Sequence, residues 1–263
     1  MPRVSDNAND ETMSFWEHLD VLRSAIIKVV VVALLCGIVA FVFKESLFRI
    51  VLAPKYDDFV TYRWLFRLSE LLGADITGSN FNVELISTGL AQQFVIHVKT
   101  ALCFGAICAS PYIIYQLFLF VAPALYEVER RYATRVVGAG YLIFLLGMAV
   151  SYFLIFPLTF RFLGTYQVST DVANMITLES YISTLLTMSL SMGIVFEIPV
   201  VAWMLAKFGI INSAFLAKYR KHAVVAILVV AAIITPTSDI FTLLVVSLPM
   251  YLLYEFSIVI VRS

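Results

Sequence analysis

The sequence predicts an all-α polytopic membrane protein with six transmembrane helices, the last two of them short. Of its 263 residues, 61% are hydrophobic and only 14% charged, and the mean hydropathy is +0.93. The apolar residues also gather into six runs bounded by charges. A bilayer helix needs roughly 20 mostly apolar residues, and soluble domains carry far more charge than this chain.

The runs are Ala25–Phe43, Thr100–Phe120, Val136–Phe156, Tyr181–Ala206, Ala223–Ile234 and Ile240–Tyr254. The first four are long enough to span. The fifth holds 12 residues and the sixth 15 before Glu255, which at about 1.5 Å per residue gives roughly 18 and 22 Å against a hydrocarbon core of about 30 Å. Between them TPTSD, Thr235–Asp239, reads as a turn, so the two form a hairpin of short helices. A single bent span is the competing reading, and it would leave Asp239 in mid-membrane.

Residues 1–13 read as a polar tail ahead of one membrane domain over 14–263. The start is acidic, without the basic n-region and apolar h-region of a cleavable signal peptide, so the first run is expected to be retained. With the N-terminus in the cytoplasm, that side holds eleven of the eighteen Lys and Arg residues in short flanking segments, including the loops 127–135 and 207–222. Six of the other seven fall in or beside the long loop 44–99, where they count for little. Both termini are therefore expected in the cytoplasm. The long loop mixes aromatics and charges with a helical pattern at Tyr62–Leu72, which suits an outer cap.

Formal charge is zero and no basic run of five or more occurs, so nothing points to nucleic acid. Cys36, Cys103 and Cys108 lie inside apolar runs with no metal-ligand spacing. No nucleophile–base set, phosphate loop or His/Cys/carboxylate cluster is visible, and the sequence predicts neither a cofactor nor catalysis. No repeat of 20–50 residues and no matching halves appear, which weakens an inverted-repeat transporter.

Four constellations remain. SFWEHLDVLRS, Ser14–Ser24, places Phe15, Leu19 and Leu22 on one helical face and Glu17, Asp20 and Ser24 on another, an amphipathic segment at the interface. Ser14 and Glu17 also make the S-x-x-E capping box, which by itself accounts for Glu17. In SPYIIYQLFLFVAPALYEVERR, Ser110–Arg131, Glu127 and Arg131 pair at i and i+4, whereas Glu129 has Leu125 and Ala133 as helical neighbours. Glu129 can accept a guanidinium, or stand in water. Glu197 is the only charge between Glu179 and Lys207. An ionisable group inside a span costs about 3 kcal/mol or more to insert, so it faces protein, and Gln116 is its expected internal partner. A structural hydrogen bond between helices is the alternative. Asp239 with Thr235, Thr237 and Ser238 reads as a cap on the last helix.

HLDVLR (His18–Arg23), the Ser110–Arg131 block, FEIPVV (Phe196–Val201), TPTSD and PMYLLYEFSI (Pro249–Ile258) together resemble the TatC family, the core receptor of the twin-arginine protein translocase. The resemblance runs from about Ser14 to the end of the chain. It implies a receptor for twin-arginine signal peptides of folded proteins, in the bacterial cytoplasmic (inner) membrane, driven by the proton-motive force. It also implies TatA- and TatB-type single-span partners and a homo-oligomeric assembly with them in membrane lipid. By motif position Glu129 and Phe120 resemble the signal-binding residues, Glu197 the intramembrane partner-contact residue and Asp239 the outer-hairpin aspartate. The family's HLxELR acid falls on Val21 here, which leaves Asp20 or Glu17 to substitute. A proton- or ion-coupled small-molecule transporter using Glu197 is the rival reading, and an intramembrane enzyme a weaker third.

Overall fold

The computed structural model describes residues 15–72, 83–121, 133–167, 169, 171, 174–237 and 239–262. Its helices are α1 (Phe15–Val42), α2 (Lys44–Leu52), α3 (Val60–Leu72), α4 (Gln92–Val121), α5 (Ala133–Val150), α6 (Phe156–Thr165), α7 (Leu178–Phe196), α8 (Ile198–Lys207), α9 (Ser213–Lys218), α10 (Arg220–Ile234) and α11 (Ile240–Arg262). One π turn, Ser151–Ile155, joins α5 to α6. Among the described residues, five stretches are long and apolar enough to cross a membrane: Leu19–Val42, Gln92–Phe120, Val137–Thr165, Leu178–Lys207 and Ile240–Arg262.

Prolines shape these spans. Pro111 lies inside α4, where it cannot donate to the carbonyl of Ile107. The Ser110 hydroxyl donates to that carbonyl at 2.7 Å, so the helix continues through the Ser-Pro pair. Pro157 deprives the Phe153 carbonyl in the same way, and the Thr61 hydroxyl of α3 donates to it. Pro199 stands in the first turn of α8 and breaks the fourth long stretch at Glu197.

Small residues set the helix crossings. In lipid, apolar side chains gain little by meeting each other, so packing rests on close approach. A Cβ on Gly105 of α4 would lie 2.5 Å from the Ala33 carbonyl and 2.6 Å from the Gly37 Cα of α1. A Cβ on Gly147 of α5 would lie 2.6 Å from the Met192 carbonyl of α7, and one on Gly193 would lie 2.7 Å from the Phe144 ring. Around this second crossing Ile155, Phe156, Ile182, Met188, Met192, Val246 and Met250 form the buried core.

The cap formed by the segment after α1 is held by hydroxyls that donate to the last carbonyls of α2 and the turn after it. Tyr152 donates to Ile50 at 2.7 Å and Tyr181 to Val51 at 3.1 Å. Fully buried Tyr62 reaches the carbonyls of Pro54 at 3.1 Å and Pro157 at 3.2 Å. Burial pushes the Tyr62 hydroxyl above its ordinary value, which keeps it a donor. Gln92 gathers the rest: its Oε1 accepts from Ser87, Thr88 and Gly89, while its Nε2 donates to Glu179 at 2.8 Å. Two strands, β1 (Leu85–Ile86) and β2 (Ile176–Thr177), pair in parallel beside it. The predicted helical pattern at Tyr62–Leu72 is α3.

The last two helices divide the expectation. α10 has 15 residues, roughly 22 Å, and is short as expected. α11 is not short: it runs 23 residues, straight through Glu255. The sequence alone ends the span at that charge, but Arg220 donates to Glu255 Oε2 at 2.8 Å and the Tyr251 hydroxyl to Oε1 at 3.1 Å. The helix therefore continues past a carboxylate that is paired rather than bare. Asp239 caps α11 as expected, its Oδ1 accepting from the Thr242 N–H at 2.6 Å. Burial raises the Asp239 carboxyl, but the Thr242 hydrogen bond helps bring its net value below the ordinary range.

Two measurements check this architecture. Gly105→Leu should destabilise the detergent-solubilised protein by about 1–3 kcal/mol through forced separation of α1 and α4, seen as earlier loss of a monodisperse peak on heating; an unchanged profile rejects the close crossing. Asp239→Ala should cost about 1 kcal/mol. Because the folded carboxyl is lowered, that contribution is present above the ordinary carboxylate value and disappears as pH falls below it, so wild type and variant should converge in acid and differ at neutral pH.

Candidate functional site

α1 and α4 run antiparallel. Phe41 stacks on His97 with ring centroids 4.0 Å apart, Gly37 lies against Ala101, and Gly105 against Ala33. The contacts step by four residues on both helices. Extended along that register, Phe120 in the last turn of α4 is level with the first turns of α1, where Glu17 and Asp20 stand.

Asp20 is exposed and Phe120 partly buried. Val21, which occupies the position expected to be acidic, is 42% exposed. Glu17 lies in the first turn of α1, with its side chain outside the described residues, and Glu129 and the capping-box Ser14 fall outside them altogether. Leu22 is half-buried, whereas Leu19, expected on the same apolar face, is exposed, as is Ser24 of the polar face.

Glu197 is the second locus. It forms the junction between α7 and α8, its N–H donating to the Ile194 carbonyl at 3.1 Å. The carboxylate lies against Gly140 of α5, where a Cβ would come within 3.3 Å of Oε2. A cavity of about 310 Å³ opens beside it, walled by Ile114, Leu117 and Phe118 of α4, Val137 of α5 and the Val200–Phe208 face of α8. Among the described residues, Oε1 is buried and accepts no hydrogen bond. Such a group, acceptor-only when ionised, suits a donor brought in by another helix.

The expected pairing of Glu197 with Gln116 is not formed. Gln116 donates its amide to the Tyr112 hydroxyl one turn back in its own helix, at 2.7 Å. The α4 residues at the cavity are 114, 117 and 118, and Gln116 points about 100° or more away from each. Gly140 is the residue that sequence reasoning missed. One glycine among several in an apolar run, with Gly138 and Gly147 near it, gives no signal until the opposing carboxylate is seen.

Asp239 stands apart from both loci, at the start of α11, and among the described residues its Oδ2 and the Thr237 and Thr242 hydroxyls are buried without a hydrogen-bond partner. The described residues contain no group of three His, Cys, Asp or Glu side chains arranged to hold a metal.

Comparison with known proteins gives one answer. The family model for the Sec-independent protein translocase protein TatC matches residues 17–249. The TatC protein of Blattabacterium sp. subsp. Periplaneta americana is 36% identical over 250 residues, covering 94% of each chain. That of Carboxydothermus hydrogenoformans is 32% identical over 254 residues, covering 96% of this chain and 94% of its own. A crystal structure of the twin arginine translocase receptor TatC superposes with a TM-score of 0.74 at 33% identity, over 93% of this chain and 97% of that one. A second, in DDM, gives 0.77 at 33% identity, over 94% and 100%. With the apolar spans, the α1–α4 crossing and the lone carboxylate at the α7–α8 break, these matches establish that the chain belongs to the TatC family of Sec-independent protein translocase proteins.

Proposed function

We propose that this TatC-family protein docks the twin-arginine signal peptide of a folded protein at the end where α1 begins and α4 finishes. The observation that carries the reading is the α1–α4 register, which supports a shared level for Phe120 and the Glu17–Asp20 turns. Glu129 follows the end of α4 by eight residues in sequence. Two guanidinium groups need carboxylates where water is thin enough to strengthen the pairing, and an interface offers that. Glu129 supplies one carboxylate, and Asp20 or Glu17 supplies the other in place of the acid that Val21 does not provide. Phe120 gives the apolar residues of the signal a contact beside the charges.

The orientation in this reading has both termini in the cytoplasm of a bacterium and six crossings of its inner membrane, α10 being the short fifth. Since α11 is long enough to span, the thinning of the bilayer rests on α10 alone, about 8 Å short of the hydrocarbon thickness. TatA- and TatB-type single-span helices then assemble against the Glu197 cavity, whose free Oε1 takes a polar donor from the arriving helix. The assembly is homo-oligomeric and works without catalysis of its own. A solute carrier built on Glu197 has less support, because the cavity walls are apolar and a polar solute needs several converging polar groups.

Photo-crosslinking tests the docking. A signal peptide with Arg-Arg should label the protein more strongly than its Lys-Lys variant, and Glu129→Ala should weaken binding roughly 10- to 150-fold, the loss of a charge-assisted pair. Equal labelling of both peptides, unchanged in Glu129→Ala, rejects the receptor reading. Glu197→Gln and Gly140→Leu should each reduce crosslinks from a single-span partner helix into α8 while leaving peptide labelling intact. Retained partner crosslinks in both variants would remove Glu197 from that role.

A further inference from the structure

The cap helix α3 presents a face that the translocase reading does not use. Thr61, Tyr62 and Ser69 are buried against the protein, while Val60, Arg63, Trp64, Arg67 and Leu71 share the opposite side. Trp64 is 69% and Leu71 84% exposed. Val60, Trp64 and Leu71 make an apolar stripe, and the two arginines border it one turn apart. A cleft of about 120 Å³ lies among Val60, Arg63, Trp64 and Arg67. Neither arginine is in an ion pair among the described residues. Glu70 shares the edge of this face one turn beyond Arg67, and Asp57 and Asp58 precede the helix.

Depth decides what covers this face. α3 is pinned to the third span through Thr61 to the Phe153 carbonyl and Tyr62 to the Pro157 carbonyl, and Phe59 stacks on Phe153 at 5.8 Å. That span begins at Val137. Phe153 and Pro157 are 16 and 20 residues further on, roughly 24 and 30 Å along a helix, against a hydrocarbon core of about 30 Å. The pinning points therefore fall at the far boundary of the bilayer. A helix lying there with tryptophan, leucine and paired arginines has the composition of an interfacial helix.

We propose that α3 lies in the bilayer interface at the cap end of the spans, with Trp64 and Leu71 among the upper acyl chains and Arg63 and Arg67 clasping the phosphate of an anionic phospholipid. Two guanidinium groups one turn apart offer several N–H donors to one phosphate, which a single ammonium cannot match. The proposal needs only the membrane spans, so its failure leaves the signal-docking reading untouched.

The test uses the full chain carrying Trp16→Phe and Trp203→Phe, so that Trp64 is the only indole of the three. Reconstituted alone into phosphatidylcholine vesicles, it is titrated with brominated phosphatidylcholine or brominated phosphatidylglycerol at equal mole fraction. Trp64 should be quenched by lipid brominated near the headgroup and shielded from aqueous acrylamide. The anionic lipid should quench more strongly, with about fivefold local enrichment per arginine. Arg63→Gln with Arg67→Gln should remove that preference while Trp64 stays shielded. Free access of acrylamide to Trp64, equal quenching by the two lipids, or a preference that survives both substitutions overturns the proposal. Shielding that appears only when other membrane proteins are added also overturns it and assigns the face to a protein partner.

Discussion

Inside a bilayer no water pairs with a carbonyl that has lost its N–H partner, and an unpaired group there costs several kcal/mol. Four prolines interrupt the long spans, Pro111, Pro157, Pro199 and Pro249, and around the first three the structure is arranged to meet the demand. At Pro111 the neighbouring Ser110 closes the gap within the helix, so the span stays continuous to Phe120. At Pro157 the donor comes from outside the span. Thr61 fills the Phe153 carbonyl, which fixes the cap helix at a defined height on the third span. At Pro199 the chain tightens instead: Glu197 N–H turns back to the Ile194 and Val195 carbonyls, and the helix breaks where the carboxylate stands. Span continuity, cap position and the Glu197 kink thus follow from one constraint met in three ways.

Close helix contact is the second requirement, because lipid gives apolar surfaces no reason to leave it. Gly37 and Gly105 bring α1 and α4 together at backbone distance, and Gly147 and Gly193 do the same for α5 and α7. Each crossing also positions one of the two candidate loci. The first crossing fixes the register that brings Phe120 level with the acidic turns of α1. The second sets α5 against α7 so that Gly140, two turns before Gly147, faces the Glu197 carboxylate. A side chain at Gly140 would meet that carboxylate at short range, so the glycine makes room for a charge as well as for a helix.

Much of this was legible in the sequence, and the boundary of legibility is physical. Hydropathy located every long helix, since burial in lipid leaves an unmistakable apolar run. The short α10, the TPTSD turn and the Asp239 cap could be read because their signals are local: length, a proline and an Asx residue before a helix. What could not be read depends on partners distant in sequence. Glu255 ends the sixth run by composition, yet Arg220, 35 residues away, pairs with it and the helix continues. Gln116 is polar and close to Glu197 in depth, yet it faces elsewhere and bonds to Tyr112. The β1–β2 pairing joins residues 91 positions apart through two-residue strands, too short to leave a periodic signal.

The Glu197 junction shows why a costly residue is placed at a break rather than in mid-helix. A carboxylate on an unbroken span would have to find its donors entirely from other helices, against a backbone with none to spare. At the proline break the side chain reaches the Gly140 surface and borders an apolar cavity of about 310 Å³. One oxygen is buried there without a donor. A buried acceptor left open costs about 1–3 kcal/mol, and on the proposed partner role a helix that supplied the missing hydrogen bond would recover it. On that proposed role, the cost of keeping the carboxylate is coupled to partner binding through one atom.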